Sequence, residues 1–185
     1  MTGTLSGMRS SRVLAAGTGL RVVLSPVVMA LLLGGSHAVA AIIFVVAAAT
    51  DWFDGRLARR WGVTTRLGAL LDTTADKLLV TTALIALVAI GRASPWVALI
   101  ILGREFTILG LRAAAAGSGQ NFETSMFGKW KATVQFAAIV LAMLRPDAVF
   151  AGAYLDQWAM VVAAVMTAWS GIDYIARFSA SIREA

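Results

Sequence analysis

Residues His37–Ile90 read HAVAAIIFVVAAATDWFDGRLARRWGVTTRLGALLDTTADKLLVTTALIALVAI. Two apolar runs flank a stretch that carries every charge in the segment. The runs predict helices over residues His37–Leu57 and Leu70–Ile90, antiparallel neighbours joined by a short link. Four further apolar runs predict helices over Thr18–Leu33, Pro95–Ala115, Lys129–Leu144 and Ala151–Ile175. Gly34-Gly35-Ser36, Gly91–Pro95 and Arg145-Pro146-Asp147 read as the breaks between them.

The chain of 185 residues is 59% apolar and only 14% charged. Its mean hydropathy of +0.79 exceeds that of an ordinary soluble domain. Each apolar run approaches the ~20 residues needed to cross a bilayer. The expected fold is therefore all-α and integral to the membrane, with six transmembrane helices and a polar cavity facing the cytoplasm. Abundant Ala and Gly suit close helix packing in lipid. Residues 1–17 are expected to form an N-terminal cytoplasmic, juxtamembrane segment, and residues 18–185 the six-helix transmembrane domain. Met8–Ala16, with Arg9 and Arg12, reads either as an interfacial helix or as an unstructured tail. The first apolar run lacks a small-residue cleavage site followed by a soluble body, so it reads as a retained helix and not as a signal peptide.

The net charge of +6 does not point to nucleic acid, because the basic residues are scattered between apolar runs with no basic stripe. With the N-terminus in the cytoplasm, the links at 34–37, 91–95 and 145–150 lie outside. They hold only Arg92 and Arg145 of the 16 Lys and Arg residues. That bias is the positive-inside pattern of a multi-pass protein of the cell membrane. Trp52, Trp61, Trp96 and Trp130 fall near expected helix ends and read as interfacial anchors. There is no Cys and a single His, His37, so a metal would have to be held by oxygen.

Asp51 and Asp54 are three residues apart, and Asp72 and Asp76 four apart, so each pair shares a helical face. Unpaired carboxylates at a membrane edge repel and resist desolvation. Divalent cations relieve both problems, and Mg2+ or Mn2+ suits an all-carboxylate site. The plainer alternatives are helix capping by Asp72 and ion pairs with Arg56, Arg59 or Arg60. Gly55 and Ala58 leave room for a ligand beside Asp54. Gly68 does the same before Asp72, or else marks a turn.

The pattern D-x2-D-G-x2-A-R-x8-G-x3-D-x3-D is complete here in Asp51, Asp54, Gly55, Ala58, Arg59, Gly68, Asp72 and Asp76. It resembles the signature of the CDP-alcohol phosphotransferases, and the six-helix reading extends that resemblance over nearly the whole chain. The resemblance implies two divalent cations held by Asp51, Asp54 and Asp72. Asp76 would be the general base toward the acceptor hydroxyl and would also touch a metal. It further implies nucleotide and CDP-lipid contacts from Asp54, Gly55, Ala58, Arg59 and Gly68, and a homodimer among membrane lipids. Thr18, Arg21 and Pro26 resemble the family's first-helix pattern, although Ala15 replaces its Asn. Thr18 then faces the nucleotide, or caps the first helix.

The acceptor has to be read from the later helices. Arg104, Arg112, Lys129 and Lys131 are candidate ligands for an acceptor phosphate, with snorkelling as the alternative for the two lysines. Arg104 and Glu105 are adjacent and point in different directions on a helix, which argues against a structural pair. Asp173 and Arg177 have ion-pair spacing, or border the acceptor pocket. GREFTILGLR (Gly103–Arg112), GKWKATVQ (Gly128–Gln135), SGIDY (Ser170–Tyr174) and DTTADKL (Asp72–Leu78) resemble the phosphatidylglycerophosphate synthase branch of the family. This resemblance implies transfer of a phosphatidyl group from CDP-diacylglycerol to glycerol 3-phosphate. Inositol phosphate is the nearest rival acceptor. Serine transfer and cardiolipin synthesis fit less well. A small cation transporter carrying its ion on the Asp cluster is the alternative of a different class. The absence of an internal repeat and the placement of the carboxylates at helix ends speak against it.

Overall fold

The computed structural model describes the backbone of residues 3–61, 66–117 and 126–183, and the side chains of residues 17–50, 73–114 and 130–179. Within these it is all-α apart from one small hairpin. The helices are α1 (Gly3–Leu33), α2 (His37–Trp61), α3 (Arg66–Ala89), α4 (Pro95–Gly117), α5 (Met126–Leu144) and α6 (Leu155–Arg183). The chain divides into two compact units, Met1–Ala89 and Ile90–Ala185.

In the first unit α1 packs against both α2 and α3, which touch each other far less. The buried positions recur at helical spacing: Val28 and Leu32 on α1, Ala40, Phe44 and Ala47 on α2, Ala75, Leu79, Ala83 and Leu87 on α3. Alanine at so many of them lets the backbones approach closely. α1 ends in a Schellman motif, with Ser36 N–H donating to the Leu31 carbonyl (2.8 Å) and Gly35 N–H to that of Leu32 (3.2 Å). Gly35 adopts φ 82° there, a conformation that favours glycine.

In the second unit α6 packs against α4 and α5. Its inward seam is Asp156, Met160, Ala163, Thr167 and Ser170, polar at both ends and apolar between. Its outward face is apolar: Val161, Val162, Val165, Trp169 and Ile172 are all exposed. This is the reverse of a soluble amphipathic helix. Leu155–Ser179 is the one stretch among the described residues that is both long and apolar enough to cross a membrane. Gly17–Leu33, His37–Thr50 and Trp130–Leu144 are shorter apolar helical stretches.

Two helix boundaries differ from expectation in ways that matter. α1 begins at Gly3 and not at Thr18, so the N-terminal segment continues into the first apolar helix without a break. α6 begins at Leu155 and not at Ala151. The preceding residues form an antiparallel hairpin of β1 (Val149–Phe150) and β2 (Ala153–Tyr154). Its two-residue turn holds Ala151 at φ 50° and Gly152 at φ 81°, the positive pair that a type I′ turn requires. Alanine is strained at such a φ. Ala151→Asn is therefore expected to stabilise the protein by about 0.5–1 kcal/mol, read as a higher unfolding midpoint in detergent. An unchanged or lower midpoint would contradict this account of the turn.

Arginines tie the ends of the second unit together. The Arg92 guanidinium donates to the carbonyls of Ala142 (3.4 Å) and Met143, at the end of α5. Burial, and then the charge of Arg145, lower the Arg92 pKa, while Asp156 pulls it the other way. Arg145 Nε donates to Asp156 Oδ2 at 3.2 Å, and its guanidinium lies 5.1 Å from the centre of the Tyr154 ring. Trp158 Nε1 donates to the Phe150 carbonyl at 2.9 Å, fastening the hairpin to the first turn of α6.

Candidate active site

The four aspartates lie within helices and not at their ends. α2 continues through Asp51 and Asp54 to Trp61. α3 begins at Arg66, so Asp72 and Asp76 follow its first turn. Capping is therefore not the role of Asp72, and Gly68 is helical, not a turn residue. Good helix formers (Arg56, Leu57, Ala58, Arg59 and Arg60) carry α2 past its apolar run. The side chains of Asp51, Asp54, Ala58, Arg59 and Asp72 lie outside the described residues, as do the surroundings of Gly55 and Gly68.

Asp76 is described. Its side chain is 41% exposed, and Lys77 Nζ lies 4.0 Å from its Oδ2. It stands beside the packed face formed by Ala75 and Leu79. Among the described residues no group of three or more His, Asp or Glu side chains gathers. The donor chemistry nevertheless fits hard divalent cations, because Asp51, Asp54, Asp72 and Asp76 are the only acidic residues between positions 1 and 89.

Thr18 is half-buried in the middle of α1, so it caps nothing. One turn on, Arg21 is 1% exposed. Ser25 Oγ donates to its backbone carbonyl at 2.7 Å.

The acceptor candidates fall on the second unit. Arg104 and Glu105 do pair, Nη1 to Oε1 at 3.2 Å, contrary to the expectation from adjacency. Their Cβ atoms diverge, but both side chains are long enough to curl together in a buried setting. Lys131 on α5 donates to the same Glu105 Oε1. Arg104 Nη2 donates to Ser170 Oγ on α6 at 3.0 Å. One carboxylate thus gathers two cations across α4 and α5, and Arg104 extends the link to α6. The side chains of Lys131 and Glu105 are 4% and 5% exposed, which rules out snorkelling for Lys131. Arg112 is exposed and stands 5.6 Å from the centre of the Tyr174 ring. Arg177 pairs with Asp173 at 3.1 Å on the exposed end of α6. The side chain of Lys129 lies outside the described residues.

Sequence reasoning missed that Glu105 accepts from both Arg104 and Lys131 and that Ser170 accepts from Arg104. Two signals pointed to them, a carboxylate inside an apolar helix and the SGIDY pattern.

This arrangement of helices with a complete carboxylate signature defines a class. Residues 15–169 match the family described as CDP-alcohol phosphatidyltransferase, and the chain belongs to that family. Its relatives narrow the comparison. It is 46% identical over 140 residues to the CDP-diacylglycerol–glycerol-3-phosphate 3-phosphatidyltransferase of Sodalis glossinidius, covering 73% of this chain and 75% of that one. It is 39% identical over 138 residues to the protein of the same name from Bacillus subtilis, covering 72% of each chain. With that of Escherichia coli K12 it shares 43% over 150 residues, 77% of this chain and 80% of the relative.

Proposed function

We propose that this protein transfers the phosphatidyl group of CDP-diacylglycerol to glycerol 3-phosphate, giving phosphatidylglycerophosphate and CMP. The observation that carries this is the 46% identity to a relative of that named activity, over 73% of the chain. The unbroken spacing from Asp51 to Asp76 supports the same chemistry. The acceptor hydroxyl attacks the phosphorus that bears the lipid, its proton passes to the Asp76 carboxylate, and the bond to CMP breaks. Asp51, Asp54, Asp72 and Asp76 hold two divalent cations, Mg2+ or Mn2+. Such ions, when bound, neutralise the pyrophosphate and stabilise CMP as it leaves. Arg59 holds a phosphate of the CDP-lipid. Thr18, Asp54, Gly55, Ala58 and Gly68 line the nucleotide. Arg104, Arg112, Lys129 and Lys131 receive the phosphate of the acceptor, a dianionic group that serine and free inositol lack.

In this reading the six helices cross the cell membrane, with the N-terminus and a polar cavity holding the carboxylates on the cytoplasmic side, and the protein works as a homodimer. Three features support the membrane placement. Large apolar side chains such as Val23, Ile42, Leu99 and Val165 are more than 60% exposed, while Arg21, Glu105, Lys131 and Asp156 are buried. The two arginines in the outside links, Arg92 and Arg145, are engaged by helix-end carbonyls and by Asp156. The remaining Lys and Arg fall on the cytoplasmic side of the topology.

CMP release from CDP-diacylglycerol by the detergent-purified protein tests this directly. Release is expected with glycerol 3-phosphate, and not with inositol 1-phosphate, free inositol or serine. Chelation of divalent cations with EDTA is expected to abolish it, and Mg2+ or Mn2+ to restore it. Release only with inositol 1-phosphate would keep the chemistry and replace the acceptor. No release from a folded, metal-loaded protein, together with ion movement into sealed vesicles lacking CDP-lipid, would favour a transporter.

A further inference from the structure

On the reading of the acceptor given above, we propose that Glu105, Ser170 and Gly171 form a seat that aims the Arg104 guanidinium, with the Lys131 ammonium, at the acceptor's phosphate. Each part of the seat acts differently. Glu105 Oε1 accepts from both Arg104 Nη1 and Lys131 Nζ, so it fixes the distance between the two cations. Ser170 Oγ accepts from Arg104 Nη2 and fixes the rotation of the guanidinium plane. Gly171 makes room for the stem: a Cβ there would lie 2.9 Å from Arg104 Cγ and 3.8 Å from its Cβ, too close for the arginine to stay where it is.

The charges make sense for an anion and are poorly suited to stability alone. Arg104 and Lys131 share the Glu105 carboxylate in a nearly dry site. Arg104 Nε is buried without a hydrogen-bond partner among the described residues. Gln135 Oε1, one turn beyond Lys131 on α5, and Thr167 Oγ1, one turn before Ser170 on α6, are likewise buried without one. Buried donors and acceptors left in this state are costly unless something polar enters to meet them. A phosphate on a short polyol would meet Arg104 Nε with its oxygens, and one of the two side-chain oxygens with the hydroxyl that does not react. Glu105, Ser170 and Gly171 are thus positioning residues that act on the acceptor through Arg104 and Lys131.

Steady-state kinetics of CMP release, varying each substrate in turn, separate this from a structural role. Glu105→Gln is expected to raise the KM for glycerol 3-phosphate by about 10- to 100-fold, the scale of a charge-assisted contact, with the KM for CDP-diacylglycerol within twofold of wild type. Ser170→Ala and Gly171→Ala, which alter no charge, are expected to raise the same KM several-fold. Glu105→Asp is expected to fall between wild type and Glu105→Gln. Should Glu105→Gln fail to fold, the Ser170 and Gly171 variants carry the test. The double variant Glu105→Gln/Lys131→Met is expected to regain thermal stability and still keep a high acceptor KM. Recovery of the acceptor KM in that double variant, equal change in both KM values, or no change in any single variant would overturn the seat. A wild-type protein that releases no CMP with glycerol 3-phosphate would overturn the acceptor reading itself, and the seat with it, before any variant is compared.

Discussion

Asp76→Asn is expected to lower the rate of CMP release with glycerol 3-phosphate by about 10²–10⁴-fold, the usual contribution of a positioned general base. The substitution keeps the shape of the side chain and removes its charge together with its capacity to take a proton. It should leave the fold intact. Ala75 and Leu79 carry the packing of this part of α3, whereas the Asp76 side chain is 41% exposed. The loss should therefore appear in kcat, at both saturating substrates, with an unchanged unfolding midpoint. Because Asp76 would also touch a metal, the variant is compared across a range of Mg2+ concentrations. A rate restored at high Mg2+ would assign Asp76 to metal binding alone, and an undiminished rate would remove it from the chemistry.

Arg145→Met is expected to have the largest effect on stability, about 3 kcal/mol, the lower end of the range for breaking a buried ion pair from one side. The asymmetry of burial decides which partner matters more. The Asp156 side chain is fully buried and that of Arg145 is 22% exposed. Removing the arginine strands a carboxylate that has no route to water. Asp156 Oδ1 already lacks a hydrogen-bond partner among the described residues, so Oδ2 depends on Arg145 Nε. Two features keep the loss from being larger. Asp156 sits in the first turn of α6, where the helix dipole favours negative charge, and the Arg92 cation acts on it from nearby. Thermal or denaturant unfolding in detergent reads the change. The double variant Arg145→Met/Asp156→Asn should recover most of the loss, because a neutral amide is far cheaper to bury than a charge. A loss below about 1 kcal/mol would mean that the pair behaves like an exposed one.

Much of the architecture was legible from periodicity. Six apolar runs became six helices, and the glycine turn after α1 and the break after α5 fell where Gly35 and Arg145-Pro146 predict them. The helix ends were less legible. Apolar content marks the part of a helix that sits in an apolar setting, whereas backbone hydrogen bonding continues into charged residues of good helix propensity. That is why α2 runs past Leu57 to Trp61 and α3 starts at Arg66. The opposite happened before α6. Apolar residues suggested helix from Ala151, but Ala151-Gly152 turned the chain into a hairpin.

The carboxylate signature and the family it marks were determined by sequence alone, because they depend on residue type and spacing along two helices, and spacing on a helix fixes which residues share a face. The partnership of Arg104, Glu105, Lys131 and Ser170 was decided only by the tertiary structure. Glu105 and Lys131 lie 26 positions apart, and Arg104 and Ser170 lie 66 apart. No local rule relates them. They meet because the small residues Ala163, Ala164 and Gly171 of α6 let neighbouring helices come close, and because long side chains buried there must satisfy one another.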